Sequence, residues 1–161
     1  MSATHSGLIW HYTIKVRLDL ILADRLIKPA TAYLSPGEKP AVWFSSNQSW
    51  EETANKSYVD PDGSIHHGAK LTTHTRGGGL IRIGVDPETA PHDWQAFKSL
   101  SGINSKHAKG LYQAACQCGA HPGEWFVSFD PVSCDKWRAV EVFDGTNWKS
   151  FDYRSVGEAK E

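Results

Sequence analysis

The sequence predicts an α+β domain with a mainly antiparallel or split β-sheet and helices inserted between its strands. Two patterns carry that expectation. Strand-like segments open and close the chain, and the helical periodicities fall between them. No regular alternation of strand and helix runs along the chain, so a parallel β-α-β sheet is not expected. At 161 residues the chain is long enough for one domain with a full core and too short for two. The expected domain spans 1–161, with loose termini at 1–7 and 155–161.

The first strand is 8-LIWHYT-13, apolar and aromatic except for His11 and Thr13. A helix is expected over 16–26, where Leu18, Ile21, Leu22 and Leu26 share a face. Pro29, Pro36, Gly37 and Pro40 make 29–40 a loop. The second strand is 41-AVWFSS-46. In 49–56, Ser49 and Glu52 stand at capping-box spacing, so a short helix is expected. Residues 57–79 are polar and rich in turn formers, with a turn at 60-DPDG-63 and a hinge or tight bend at 76-RGGG-79. Apolar and polar residues alternate in 80-LIRIGV-85, the pattern of a half-buried strand. Helices follow at 91–100 and from about Asn104. The second presents Ala108, Leu111, Tyr112 and Ala115 on one face and stops at Gly119. The chain closes on strands 124-EWFVSF-129, 137-WRAVEVF-143 and 148–151, the last two joined by a turn at 144-DGTN-147.

The formal net charge is −1, so no overall basic footprint for nucleic acid exists, and a protein acceptor is favoured over a nucleic-acid one. No apolar run reaches the length of a membrane span, and no charged-then-apolar leader opens the chain. A cytoplasmic monomer is expected, and delivery into another cell without a cleavable signal is compatible with it. Cys116, Cys118 and Cys134, with His121, are zinc ligands by type. Residues two apart on a helix do not share a face, so buried, inert thiols are expected and no metal. His66 and His67 sit in a polar loop without a carboxylate or second histidine at helical spacing. RGGG lacks the Gly-Lys-Ser/Thr of a phosphate loop and precedes a strand. Seven tryptophans are spread from Trp10 to Trp148. Most should fill the core, leaving one or two to face a flat ligand.

The chemistry-bearing residues are those placed in apolar strands: His11 in the first, Ser45 and Ser46 at the end of the second, and Glu124 opening 124–129. Burying any of these alone costs free energy unless a partner is found, and a carboxylate costs most. Glu141, between Val140 and Val142, is the rival carboxylate, and alternation could place it on a solvent face.

Three blocks in order resemble ADP-ribosyltransferases of the poly-ADP-ribose polymerase and diphtheria-toxin type. The first is 9-IWHYT-13 with the helix carrying Ile21-Leu22 and 26-LIKPA-30. It resembles the family's Leu-Trp-His-Gly-Ser-like strand, its Ile-Leu helix and the exit that follows. The second, 42-VWFSS-46 running to 53-TANK-56, resembles the family's Tyr-Phe-Ala/Ser strand and Ser-Ala-Asn helix. The third, 123-GEWFVSFDPV-132, resembles the block that carries the catalytic glutamate. Residues 57–120 match nothing in the family closely. The family's glycine after the histidine is Tyr12 here, and its stacking tyrosine falls on Trp43.

The resemblance implies an ADP-ribosyltransferase-like split antiparallel sheet and NAD as substrate. ADP-ribose would pass to a protein or nucleic-acid acceptor with release of nicotinamide, as in a small toxin or effector. It also implies roles. Glu124 would hydrogen-bond the nicotinamide ribose and stabilise an oxocarbenium-like transition state, with Glu141 as rival. His11 would position the adenosine ribose, Trp43 would stack on nicotinamide, and Ser45 and Ser46 would bond a ribose or amide group. Arg82 is a further candidate, for phosphate. Two rivals stand beside this reading. One is a non-catalytic nucleotide- or partner-binding module on the same fold. The other is a cofactor-independent hydrolase or nuclease pairing His11 with a glutamate.

Overall fold

The structure, a computed structural model, describes residues 7–155. The termini expected to be loose lie outside the described residues, apart from Gly7 and Ser155. The opening strand β1 (Ile9–Ile14) runs directly into α1 (Lys15–Asp24). There follow β2 (Leu26–Ile27), β3 (Val42–Ser45), the hairpin β4 (Ser57–Val59) and β5 (Ile65–His67), α2 (Lys70–Arg76) and β6 (Leu80–Val85). The second half holds β7 (His92–Asp93), α3 (Trp94–Leu100), α4 (Ser105–Cys118), β8 (Trp125–Ser128), β9 (Val132–Ser133), β10 (Trp137–Phe143) and β11 (Trp148–Ser150).

Seven of these strands form one antiparallel sheet in the order β11-β10-β6-β1-β3-β8-β7. The ladders differ in extent. β1 pairs with β6 over six consecutive positions, from Ile9↔Val85 to Ile14↔Leu80, whereas its register with β3 is Trp10↔Ser45. The α+β class and the mainly antiparallel sheet are as the sequence leads one to expect, and β1 joins β3 within the same seven-stranded sheet. No helix among the described residues is long and apolar enough to cross a membrane.

Alternation along β1 sends Ile9, His11 and Thr13 to one face and Trp10 and Tyr12 to the other. The first face carries Ile81, Ile83, Val85, Val140, Val42 and Phe44, and Leu18 and Leu22 of α1 close it. The opposite face is covered in two parts. Near β3 and β8, Trp94, Phe97, Ala108 and Ala115 of α3 and α4 pack on Ala41, Trp125 and Val127. Near β1, β6 and β10, Trp50 closes over Trp10, Tyr12 and Phe143.

Several local expectations need correction. The helix expected through Leu26 stops at Asp24. Arg25 takes a left-handed φ of 56° and donates its N–H to the Ile21 carbonyl, and Leu26–Ile27 then extends to pair with β9. The helix expected at 49–56 is a 3₁₀ turn over Glu52–Ala54. It is capped by Glu51 rather than Ser49, because the buried Glu51 carboxylate accepts from Ser45 Oγ (3.0 Å) and Thr53 N (3.2 Å). Residues 57–79, read as turns, contain β4, β5 and α2. β6 is buried along its whole length rather than on one face, since β1 and β10 flank it and both faces are covered. Tyr112 stands 48% exposed, off the buried face of α4. Cys116 and Cys118 are exposed rather than buried, because they follow Ala115, where that face ends.

Gly77, Gly78 and Gly79 form a tight bend. Gly78 and Gly79 have φ of 75° and 129°, and a Cβ on Gly77 would stand 2.6 Å from Ile14 Cγ2 and 2.8 Å from the Thr73 carbonyl. Lys15 N and Val16 N bond to the Gly79 and Gly77 carbonyls, so this bend holds the start of α1. Gly77→Ala should cost about 1–3 kcal/mol by overpacking. Urea unfolding checks it, and a loss under about 0.5 kcal/mol would mean the bend relaxes freely.

Candidate functional site

β1, β3 and β8 lie side by side, and each contributes to one site. His11 follows Trp10, which pairs with Ser45 of β3, and its Nδ1 lies 2.8 Å from the Trp43 carbonyl oxygen. A carbonyl only accepts, so Nδ1 carries the proton and donates it. In the neutral ring Nε2 is then a lone-pair acceptor, suited to a hydroxyl. The imidazole meets the Phe44 ring edge-on, with centroids 5.8 Å apart.

Burial holds His11 below its ordinary value of 6.5; the bond to Trp43 opposes this and the Lys56 charge adds to it. The unfolded chain thus binds the proton more readily. Neutral His11 contributes stability that is full above about pH 6.5 and is lost as pH falls toward the folded value. Between about pH 7.5 and 5, wild type should lose more stability in urea unfolding than His11→Gln, which cannot titrate. Parallel profiles would contradict a buried neutral imidazole.

Glu124 closes a 3₁₀ turn (Pro122–Glu124) just before β8 and is half-buried. Its carbonyl accepts from Ser46 N (2.9 Å), and its Oε1 lies 3.5 Å from Asn47 Nδ2. The register runs Trp10↔Ser45↔Trp125 across the three strands. Glu124 therefore falls in the row of Ser46 and Ile9, while His11 falls in the row of Phe44 and Phe126. Two strand spacings across and two residues along separate His11 and Glu124 by roughly 12 Å at Cα. That is within the span of one extended small molecule. Nδ1 of His11 is taken by the Trp43 carbonyl and Glu141 is joined to Arg82 on the opposite face, so neither contact pairs His11 with a glutamate.

The other sequence candidates are placed differently. The Trp43 ring turns to the face opposite His11, edge-on to Phe97 (4.6 Å) and Trp125 (5.8 Å). This corrects its expected stacking role: neighbours on a strand face opposite ways, and Phe44 is the aromatic beside His11. Ser45 is buried, donates to Glu51 Oε1 and accepts from Asn47 N (3.1 Å), so its hydroxyl is committed to the fold. Ser46 is half-buried and has no side-chain partner among the described residues. Arg82 and Glu141 are on the opposite face, joined to each other through Arg82 Nε and Glu141 Oε1 at 2.7 Å. That pairing removes Arg82 from phosphate binding at the His11 face and leaves Glu141 as a structural carboxylate rather than a solvent-facing one.

No family model, curated protein or solved structure matches the chain. The site therefore rests on its own geometry. Two open concavities lie away from it. One, of about 450 Å³, is lined by Asp86, Ser128, Asp130 and Arg138 among others; the second, of about 470 Å³, by Leu34, Ser35, Asn104 and Leu111 among others. Neither includes His11 or Glu124. Among the described residues no group of three or more His, Cys, Asp or Glu could hold a metal ion, and the side chains of His66 and His67 lie outside them. Sequence reasoning missed Phe44 and Asn47 as neighbours of His11 and Glu124. Alternation in 42–46 separates Phe44 from Trp43, but only the strand register says which of them joins His11.

Proposed function

We propose that this chain is an NAD-dependent ADP-ribosyltransferase on an ADP-ribosyltransferase-like split sheet, with Glu124 as its catalytic carboxylate. One observation carries the reading. The three segments that resemble the family run on or into the adjacent strands β1, β3 and β8. A dinucleotide lying across these strands would meet His11 at one ribose and Glu124 at the other. His11 Nε2 accepts a ribose hydroxyl and fixes the molecule without exchanging a proton. Ser46, half-buried, replaces the committed Ser45 as the available hydroxyl.

In the reaction the bond between the ribose carbon and the nicotinamide nitrogen breaks, and nicotinamide leaves as a neutral molecule with the bonding pair. The cationic ribosyl carbon is stabilised by the Glu124 carboxylate, which accepts a hydrogen bond from the neighbouring hydroxyl. An acceptor nucleophile then forms the new bond and gives up its proton. Net charge favours a protein acceptor over nucleic acid. The test is to incubate adenylate-labelled NAD with the protein and a cell lysate. Free nicotinamide and label in the protein fraction are expected, and no release from wild type would contradict the reading. Among the described residues, Glu124 is oriented by no side-chain contact shorter than the 3.5 Å to Asn47 Nδ2, which favours a second reading, a nucleotide-binding module without turnover. NAD binding with no nicotinamide release would select it.

A further inference from the structure

Asn47 directly follows the strand pair that ends at Ser46, and four hydrogen bonds fix it. Its N–H donates to Ser45 Oγ (3.1 Å), and its Oδ1 accepts from Ser49 N (2.9 Å) and Trp50 N (3.3 Å). Its carbonyl accepts from the Tyr12 hydroxyl. Two backbone donors on Oδ1 settle which end of the amide is oxygen, so Nδ2 is the end turned toward Glu124. The residues after it are held as firmly. The Gln48 carbonyl accepts from Arg82, the Ser49 carbonyl accepts from Trp148 Nε1 (3.0 Å), and Gln48 Oε1 accepts from Trp10 Nε1 (2.9 Å). Three consecutive carbonyls, from Asn47 to Ser49, thus rest on side chains of β1, β6 and β11. The Glu124 backbone is tied to the same segment through Ser46 N, 2.9 Å from its carbonyl oxygen.

The amide nitrogen is the one part of Asn47 not used by the fold. Among the described residues Nδ2 has no partner other than Glu124 Oε1, and 3.5 Å is the outer limit of a hydrogen bond. A rigid N–H donor and a half-buried carboxylate acceptor therefore stand side by side without satisfying each other. A ligand group that meets both must carry an acceptor and a donor roughly 3 Å apart. Two neighbouring hydroxyls of a ribose do so. One donates to Glu124, and the oxygen of the other accepts from Asn47.

We propose that Asn47 is a ribose-binding residue: its Nδ2 donates to the hydroxyl next to the one that Glu124 binds, so the two side chains select a vicinal diol. The identity of that sugar as the nicotinamide ribose of NAD rests on the transferase reading; the pairing of Asn47 with Glu124 around a diol does not. Calorimetry tests it with ADP-ribose, ADP, NAD and an ADP-ribose analogue whose terminal sugar is a deoxyribose. The proteins are wild type, Asn47→Asp and Asn47→Ser. Aspartate keeps an oxygen for Ser49 N and Trp50 N and removes the donor. Serine removes the donor without adding charge, and its hydroxyl still serves the turn. Wild type should bind ADP-ribose about tenfold or more tightly than ADP or the deoxyribose analogue. In both variants that preference should shrink to about threefold or less, while ADP binds within about threefold of wild type. A preference that survives in both variants would overturn the proposal, and so would a wild type that does not prefer ADP-ribose. Equal losses for ADP and ADP-ribose would also overturn it, because a purely structural Asn47 gives that result. NAD binding that falls in the variants while ADP-ribose binding holds would overturn it in favour of the nicotinamide carboxamide as the group held. If the preference depends on Asn47 while NAD releases no nicotinamide, the diol site stands and the transferase reading falls. If nicotinamide is released and the preference ignores Asn47, the reverse holds.

Discussion

Glu141→Ala should cost about 3–5 kcal/mol of stability, the largest loss expected from any single change discussed. Arg82 and Glu141 are 8% and 7% exposed, and their contacts at 2.7 Å and 2.5 Å make a forked pair. The guanidinium lies between two indoles, 3.9 Å from the Trp10 ring centre and 4.6 Å from that of Trp148, and also donates to the Gln48 carbonyl. Alanine at 141 leaves that cation buried without its counter-charge, and desolvation rather than lost attraction sets the magnitude. Arg82→Met with Glu141→Leu removes both charges and should be far milder, within about 1–2 kcal/mol of wild type. Urea unfolding of the single and double variants measures both. A Glu141→Ala loss below about 1 kcal/mol would mean water reaches Arg82 and the pair is not a core element. Tyr12 shares this cluster. Burial first of all pushes its phenol up to about 12, against the opposing effect of Arg82, so it stays protonated across the working range.

Glu124→Gln should lower nicotinamide release by about 100-fold or more while leaving stability within about 0.5 kcal/mol. The substitution keeps shape and removes charge. Glu124 has no cationic partner among the described residues, and its contact with Asn47 Nδ2 at 3.5 Å is long, so little of the fold depends on the carboxylate. The developing positive charge on the ribosyl carbon does depend on it. An amide still accepts a hydroxyl hydrogen bond, so NAD binding should survive better than turnover. The rate constant should therefore fall much more than KM rises.

Strand segments with clear periodicity were legible from sequence: β1, β3, β6, β10 and β11 fall where apolar runs and the 144–147 turn put them. α4 was legible from Asn104 and Gly119, whose side chain and left-handed φ cap it. α2 was not, because Thr73 is its buried residue and no apolar stripe marks it. The role of Arg82 was hidden because its partner Glu141 lies 59 residues away and only the β6–β10 register joins them. The candidate site was half legible. His11, Ser46 and Glu124 are polar residues in or beside apolar strands, a local signal. That Phe44 rather than Trp43 neighbours His11, and that Ser46 rather than Ser45 keeps its hydroxyl, depends on strand register and on the Ser45–Glu51 bond.

Single-turnover release of nicotinamide from NAD, compared between wild type and Glu124→Gln at matched stability, tests the central claim most directly. Release by wild type that falls by about 100-fold or more in the variant is the expected result. Release that persists in Glu124→Gln, or that wild type never produces, would contradict it.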